Sequence, residues 1–196
     1  MANARFSIAP AYYTGSEVTP EVTVTHSGKT LVKDRDFIVT YHNNIEPSSY
    51  YNSPWVGIDG IGNYQGYVTK SFTINRADIS SCTVTLSDES LTYTGSSLRP
   101  TATVKSGDKE LTLNQDYYVS YRNNWDAGTA SAILTGTGNY TGSVTKDFTI
   151  KPLDISRYSA SLSQYSYTSD GTEKCPDVTV TYGDKTLAAG TDFTVS

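Results

Sequence analysis

A fixed internal period constrains this chain more than any single residue does, because a fold assembled from similar stretches is assembled from similar units. Pro20, Pro100 and Pro176 recur at intervals of 80 and 76 residues. Pro20-Glu21-Val22-Thr23-Val24 matches Pro100-Thr101-Ala102-Thr103-Val104 and Pro176-Asp177-Val178-Thr179-Val180. Upstream, Tyr13-Thr14-Gly15 and Tyr93-Thr94-Gly95 are matched by Asp170-Gly171 in the third line, and downstream Asp36-Phe37, Asp116-Tyr117 and Asp192-Phe193 keep their offsets. The first two lines further share Tyr41-His42-Asn43-Asn44 with Tyr121-Arg122-Asn123-Asn124, Gly62-Asn63-Tyr64 with Gly138-Asn139-Tyr140, and a final Val-Thr-Lys-x-Phe-Thr-Ile beginning at Val68 and at Val144.

The pattern divides the chain into a first repeat over 1–78, a second over 79–155 and a partial third over 156–196. The first period is longer by an insertion placed near 45–53, which carries Tyr50 and Tyr51, with Trp55 just beyond. Met1-Ala2 reads as an expression scar.

Within each repeat the apolar residues alternate with period two, as in Phe37, Val39 and Tyr41, so the segments read as strands with one buried face. Ser27-Gly28, Gly107-Asp108 and Gly62-Asn63 supply the positive-φ positions that tight turns need. Tyr, Thr, Ser, Val and Gly dominate the composition, and such residues suit pleated half-buried surfaces. The expected fold is all-β: tandem small antiparallel Ig-like β-sandwich modules, the third copy incomplete. A β-grasp-like or other small all-β unit also fits. The linkers Asn75-Arg76-Ala77-Asp78-Ile79-Ser80 and Lys151-Pro152-Leu153-Asp154-Ile155-Ser156 are short and not Gly/Ser-rich, which favours a semi-rigid string.

A net charge of −5 and a pI near 4.9 argue against a nucleic-acid partner, because phosphate binding needs a basic stripe. No apolar run approaches membrane-spanning length. No nucleophile elbow, His-Glu-x-x-His or phosphate-cradling loop occurs, so the chain reads as no enzyme and calls for no cofactor. His26 and His42 stand without partners at ligand spacing, and Asp34 and Asp36 offer too few oxygens for calcium, so no metal site is expected.

The best-kept pieces, residues 176–180, 183–187, 192–193, 121–124 and 136–150, resemble the bacterial Ig-like repeats of the MBG-like type. Such repeats occur in many copies on secreted and cell-surface proteins of Gram-positive bacteria. The resemblance covers nearly the whole chain and implies an extracellular stalk or spacer. Its alternative is an adhesin-like or carbohydrate-binding module whose partner is a glycan or a host or cell-wall protein.

If a ligand site exists, the insertion of the first repeat is its place. Aligned on Gly62, Val56 and Ile58 point inward and Trp55 outward, so Tyr50, Tyr51 and Trp55 form a candidate stacking platform. The plainer reading folds the insertion over and buries Trp55. Trp125 is expected to cap the end of the second sandwich. Lys70 and Lys146 share the inward parity of the last strand. That leaves either an isopeptide crosslink or a lysine that snorkels out past the rim. Intact mass separates these, because each crosslink removes one ammonia.

Val178, Val180, Phe193 and Val195 of the partial repeat are expected to be covered by the second repeat or by self-association with another molecule, since open sheet edges recruit partners. Cys82 and Cys175 occupy unmatched positions in different repeats, so no disulfide recurs with the period. Thiol counting on unfolded, unreduced protein is therefore expected to find two free thiols; a count of none would mean a bridge between repeats.

Overall fold

The computed structural model describes residues 4–196; the expected scar at Met1-Ala2 lies outside them. The chain forms two β-sandwich modules and a third, partial one, as the period requires. In the first module Ala4–Ile8, Val22–His26 and Lys29–Thr30 make one antiparallel sheet. Phe37–His42, Trp55–Gly60 and Tyr67–Ser71 make the other. The alternation Val22, Val24 against Phe37, Val56 and Ile58 fills the space between them, with Val24, Val56 and Ile58 fully enclosed. The second module repeats this with Thr83–Leu86, Ala102–Ser106 and Lys109–Glu110 facing Tyr117–Arg122, Gly128–Gly136 and Ser143–Lys151.

In each complete module an early strand lies parallel to the last one. Ala11–Tyr12 pairs with Ile74–Asn75, and Ser90–Thr92 pairs with residues 149–151. The insertion explains why the first module's last strand is broken. Ser48 takes the place of Gly128 against Ile74, donating its backbone amide to the Ile74 carbonyl at 2.9 Å. Residues 49–53 then loop outward before Pro54 meets Phe72.

The shared Tyr-x-Asn-Asn motif is a fastener. The Tyr41 and Tyr121 hydroxyls each donate to a proline carbonyl, Pro20 and Pro100, at 2.6 Å. Burial of both rings raises the pKa of these tyrosines, keeping them neutral donors. Asn43 and Asn123 take φ of 55° and 53°, a left-handed region that asparagine tolerates better than most residues. That turn directs Asn44 and Asn124 inward, where their Nδ2 groups donate to the carbonyls of Val18 and Leu98. The next residue is thrown outward, so Trp125 is 58% exposed and does not cap the sandwich.

The third module consists of one antiparallel sheet, Ser159–Leu162, Val178–Tyr182 and Lys185–Thr186. Val180 is buried and Val178 and Phe193 are half-buried, but Val195 faces solvent, so cover from within the chain does not extend to all four. No α-helix occurs among the described residues; the helical pieces are the 3-10 turns Ile79–Ser81 and Ile155–Arg157.

Replacing Asn124 by Ala removes a buried side chain and takes the donor from the half-buried Leu98 carbonyl, and losing such a partner costs about 1–3 kcal/mol. Chemical denaturation followed through the second module is expected to show a destabilisation of that size, with Trp125→Ala near neutral as the control.

Candidate functional site

The first site is the joint between modules one and two. Strand pairing assigns the linker to the second module slightly earlier than the repeat boundary suggests: Ala77–Asp78 runs parallel to Tyr140–Thr141. The Ala77 amide donates to the Asn139 carbonyl at 3.0 Å, and the Asp78 carboxylate accepts from the Ser80 amide at 2.9 Å, capping the turn that buries Ile79 completely. Above this, the Tyr13 ring meets the Tyr140 ring edge to face at 5.7 Å. The Lys109 ammonium lies 5.7 Å from the Tyr13 ring centroid and donates to its hydroxyl at 3.5 Å. That hydroxyl, foremost among the surroundings, raises the Lys109 pKa.

Gly15 lies beside the lysine stem, and its φ of +83° explains the glycine of the Tyr-Thr-Gly motif. The Asn139 amide closes the rim on Glu46 Oε2 at 2.7 Å. One apolar cluster runs without a break through Ala11, Tyr13 and Ile74 into Ile79, Tyr140 and the core of module two.

The second joint repeats the device. The Lys185 ammonium stands 5.6 Å from the Tyr93 ring centroid, against Gly95, and donates to the Thr94 carbonyl at 3.2 Å. Asp154 caps the turn Ile155–Arg157 as Asp78 caps its counterpart.

The second site is the outer face of the first module's second sheet. Tyr50 and Tyr51 are 93% and 94% exposed and meet edge to face at 5.0 Å. They project from a loop held by Asn52, whose amide reaches the Asn43, Glu46 and Pro47 carbonyls. Trp55 is half-buried, its ring stacked at 3.9 Å on His42, which it faces across the strand pair. Tyr50 and Tyr51, almost wholly exposed, are not packed over it. Two residues along, Tyr67 lies across Gly57: a Cβ there would stand 2.6 Å from the tyrosine hydroxyl. His42, Trp55, Gly57 and Tyr67 thus share one face, and the second module has Arg122, Ser131, Ile133 and Ser143 at these places. Parity around Val56 and Ile58 pointed to Trp55; Tyr67 and Gly57 needed the register of the neighbouring strand.

Lys70 and Lys146 are exposed, and the Lys70 ammonium lies 5.4 Å from the Phe6 ring centroid at the sandwich rim. The aliphatic stem covers the edge while the charge stays in water. Both cysteines are free. His26 packs edge-on to Tyr64 at 6.2 Å. Among the described residues no group of His, Cys, Asp or Glu gathers as a metal site.

Asp36 instead organises its own loop, accepting from the Val32 amide at 2.9 Å and from Arg35, as Asp116 and Asp192 accept from Thr112 and Ala188. Searched against family models, curated proteins and solved structures, the chain matches none.

The Arg35 guanidinium, followed by the Val32 amide, holds the Asp36 carboxyl down to about 2. A depressed folded-state value contributes stability that is complete above the ordinary value of 3.8 and is lost as pH falls through about 2. Thermal melting across that window is expected to fall less steeply for Asp36→Asn than for the wild type. Equal slopes would show that the carboxylate contributes nothing.

Proposed function

We propose that the chain is a non-catalytic spacer segment of an extracellular bacterial repeat protein, in which the modules set reach and the joints set direction. The observation that carries this reading is the unbroken apolar cluster through the first joint. Modules joined by free linkers tumble independently, whereas a shared core makes neighbours move as one. Repetition of the Lys–Tyr contact at the second joint supports the same reading, because a spacer needs every joint to be alike. The resemblance of the repeat pattern to MBG-like repeats supports it, and is the ground for reading the protein as extracellular.

A second reading, carbohydrate binding on the first module, is favoured by one observation: Trp55, His42 and Tyr67 surround Gly57 on an outer face whose counterpart in the second module carries none of these rings. Aromatic faces beside small residues suit the apolar side of a sugar ring. Tyr50 and Tyr51 extend the same end of the module.

The spacer reading is tested by residual dipolar couplings, in which modules one and two are expected to share a single alignment tensor that splits in Tyr13→Ala. Independent tensors in the wild type would overturn it. Glycan-array binding that disappears in Trp55→Ala would establish the second reading in its place.

A further inference from the structure

On the outer face of the first module's second sheet, strand register sets Trp55 between His42 and Ser71, and Gly57 between Thr40 and Thr69. The indole gives one face to the nearly parallel His42 ring at 3.9 Å, so its other face is turned toward Ser71, a small exposed neighbour. Tyr67 leans diagonally over Gly57 and stays 55% exposed, and a residue larger than glycine would leave its ring no room there. Outward positions two apart on a strand are separated by about 7 Å, so the two aromatic surfaces adjoin.

The polar groups of the face limit what can lie on those rings. Asp59, directly opposite Tyr67, is half-buried, and among the described residues nothing donates a hydrogen bond to its carboxylate or pairs with it. No lysine or arginine stands at an outward position of these three strands, since Lys70 has the opposite parity and leans on Phe6. The matching face of the second module is closed. Ser131, in place of Trp55, donates to the Asp147 carboxylate at 2.7 Å, and Ile133, in place of Gly57, leaves no seat for an overlying ring.

We propose that this face binds a neutral, β-linked, gluco-configured oligosaccharide, which deepens the carbohydrate reading above and rests on it. A sugar ring whose hydroxyls are all equatorial presents only C–H bonds on its faces, and these meet the negative face of an aromatic ring favourably. An axial hydroxyl would be pressed into that face and lose its water. The equatorial hydroxyls lie at the margin of the sugar, where the Asp59 carboxylate accepts from them in charge-assisted hydrogen bonds. An acidic glycan would meet Asp59 with no cation to offset it, on a chain whose net charge is −5. A β-linked chain is extended enough to follow a sheet face from Tyr67 to Trp55. His42 is a positioning residue, holding the indole by its far side.

The test is calorimetry on the full chain with cellohexaose, with mannohexaose, which carries an axial hydroxyl on every ring, and with a hyaluronan oligosaccharide of like length as the acidic glycan. Saturable one-to-one binding of cellohexaose is expected, about tenfold weaker for mannohexaose and absent for hyaluronan. Tyr67→Ala is expected to weaken it about tenfold. Ser71→Arg is expected to abolish it, because it lays a long side chain across the free indole face from an exposed position and leaves the core alone. Thermal melting checks that both variants fold, and Ser71→Arg decides if Tyr67→Ala does not. Mannohexaose or hyaluronan bound as tightly as cellohexaose would overturn the ligand class and leave the carbohydrate reading standing. Absence of cellohexaose binding overturns the inference, and a blank glycan array beside it overturns the reading beneath as well, the result a protein-binding face would give. Binding that survives Ser71→Arg would put the sugar elsewhere and overturn the proposal too.

Discussion

The edge-to-face contact of Tyr13 with Tyr140 closes two incomplete cores at once. A sandwich of fewer than eighty residues has little interior, and its ends are where the two sheets part and apolar side chains lose cover. Module one offers Ala11, Tyr13 and Ile74 at its lower end, module two Ile79 and Tyr140 at its upper end, and neither set would be dry alone. Pressed together they form one cluster. The pair adds about 0.5–1.5 kcal/mol beyond the area it removes from water, and the lysine over the tyrosine face adds about 0.5–1 kcal/mol at an exposed site. The joint is thus part of the folding of each module as well as a link between them.

Inside each module polar side chains, not apolar ones, fix the loop geometry. Tyr41, Asn44 and Asp36 each satisfy backbone groups that a tight connection between sheets would otherwise leave bare, and Tyr121, Asn124 and Asp116 do so again. This accounts for the best-kept polar positions of the period without invoking a ligand. It also separates them from the residues found in the first copy alone, His42, Trp55, Gly57 and Tyr67, for which no such structural duty recurs.

Much of the fold was legible in the sequence because period-two alternation and a recurring register are local signals: Val56 and Ile58 lie inside, Trp55 lies on the outer face, and the insertion sits where the two periods diverge. What crosses between modules was not. Tyr13 and Lys109 belong to different repeats, and parity within a strand says nothing about a neighbour reached over a linker. Trp125 was misplaced because its direction is set by the positive φ of Asn123 and the inward turn of Asn124, a backbone effect that hydrophobicity does not report. The inward parity of Lys70 was real, yet its length carries the charge past the rim. Of the candidate platform, the exposed tyrosines and the tryptophan were legible, while Tyr67 emerged only once the adjacent strand's register was known.

The parallel pairing of an early strand with the last one in each module has a mechanical consequence. Tension along a string of modules draws the start and the end of each sandwich in opposite directions. Because Ala11–Tyr12 and Ile74–Asn75 run the same way, as do Ser90–Thr92 and residues 149–151, that pull slides one strand along the other. The bonds between them are loaded together in shear and must yield together, unlike a zipper opened from one end. Such a chain resists stretching most strongly along the very axis on which its modules are strung.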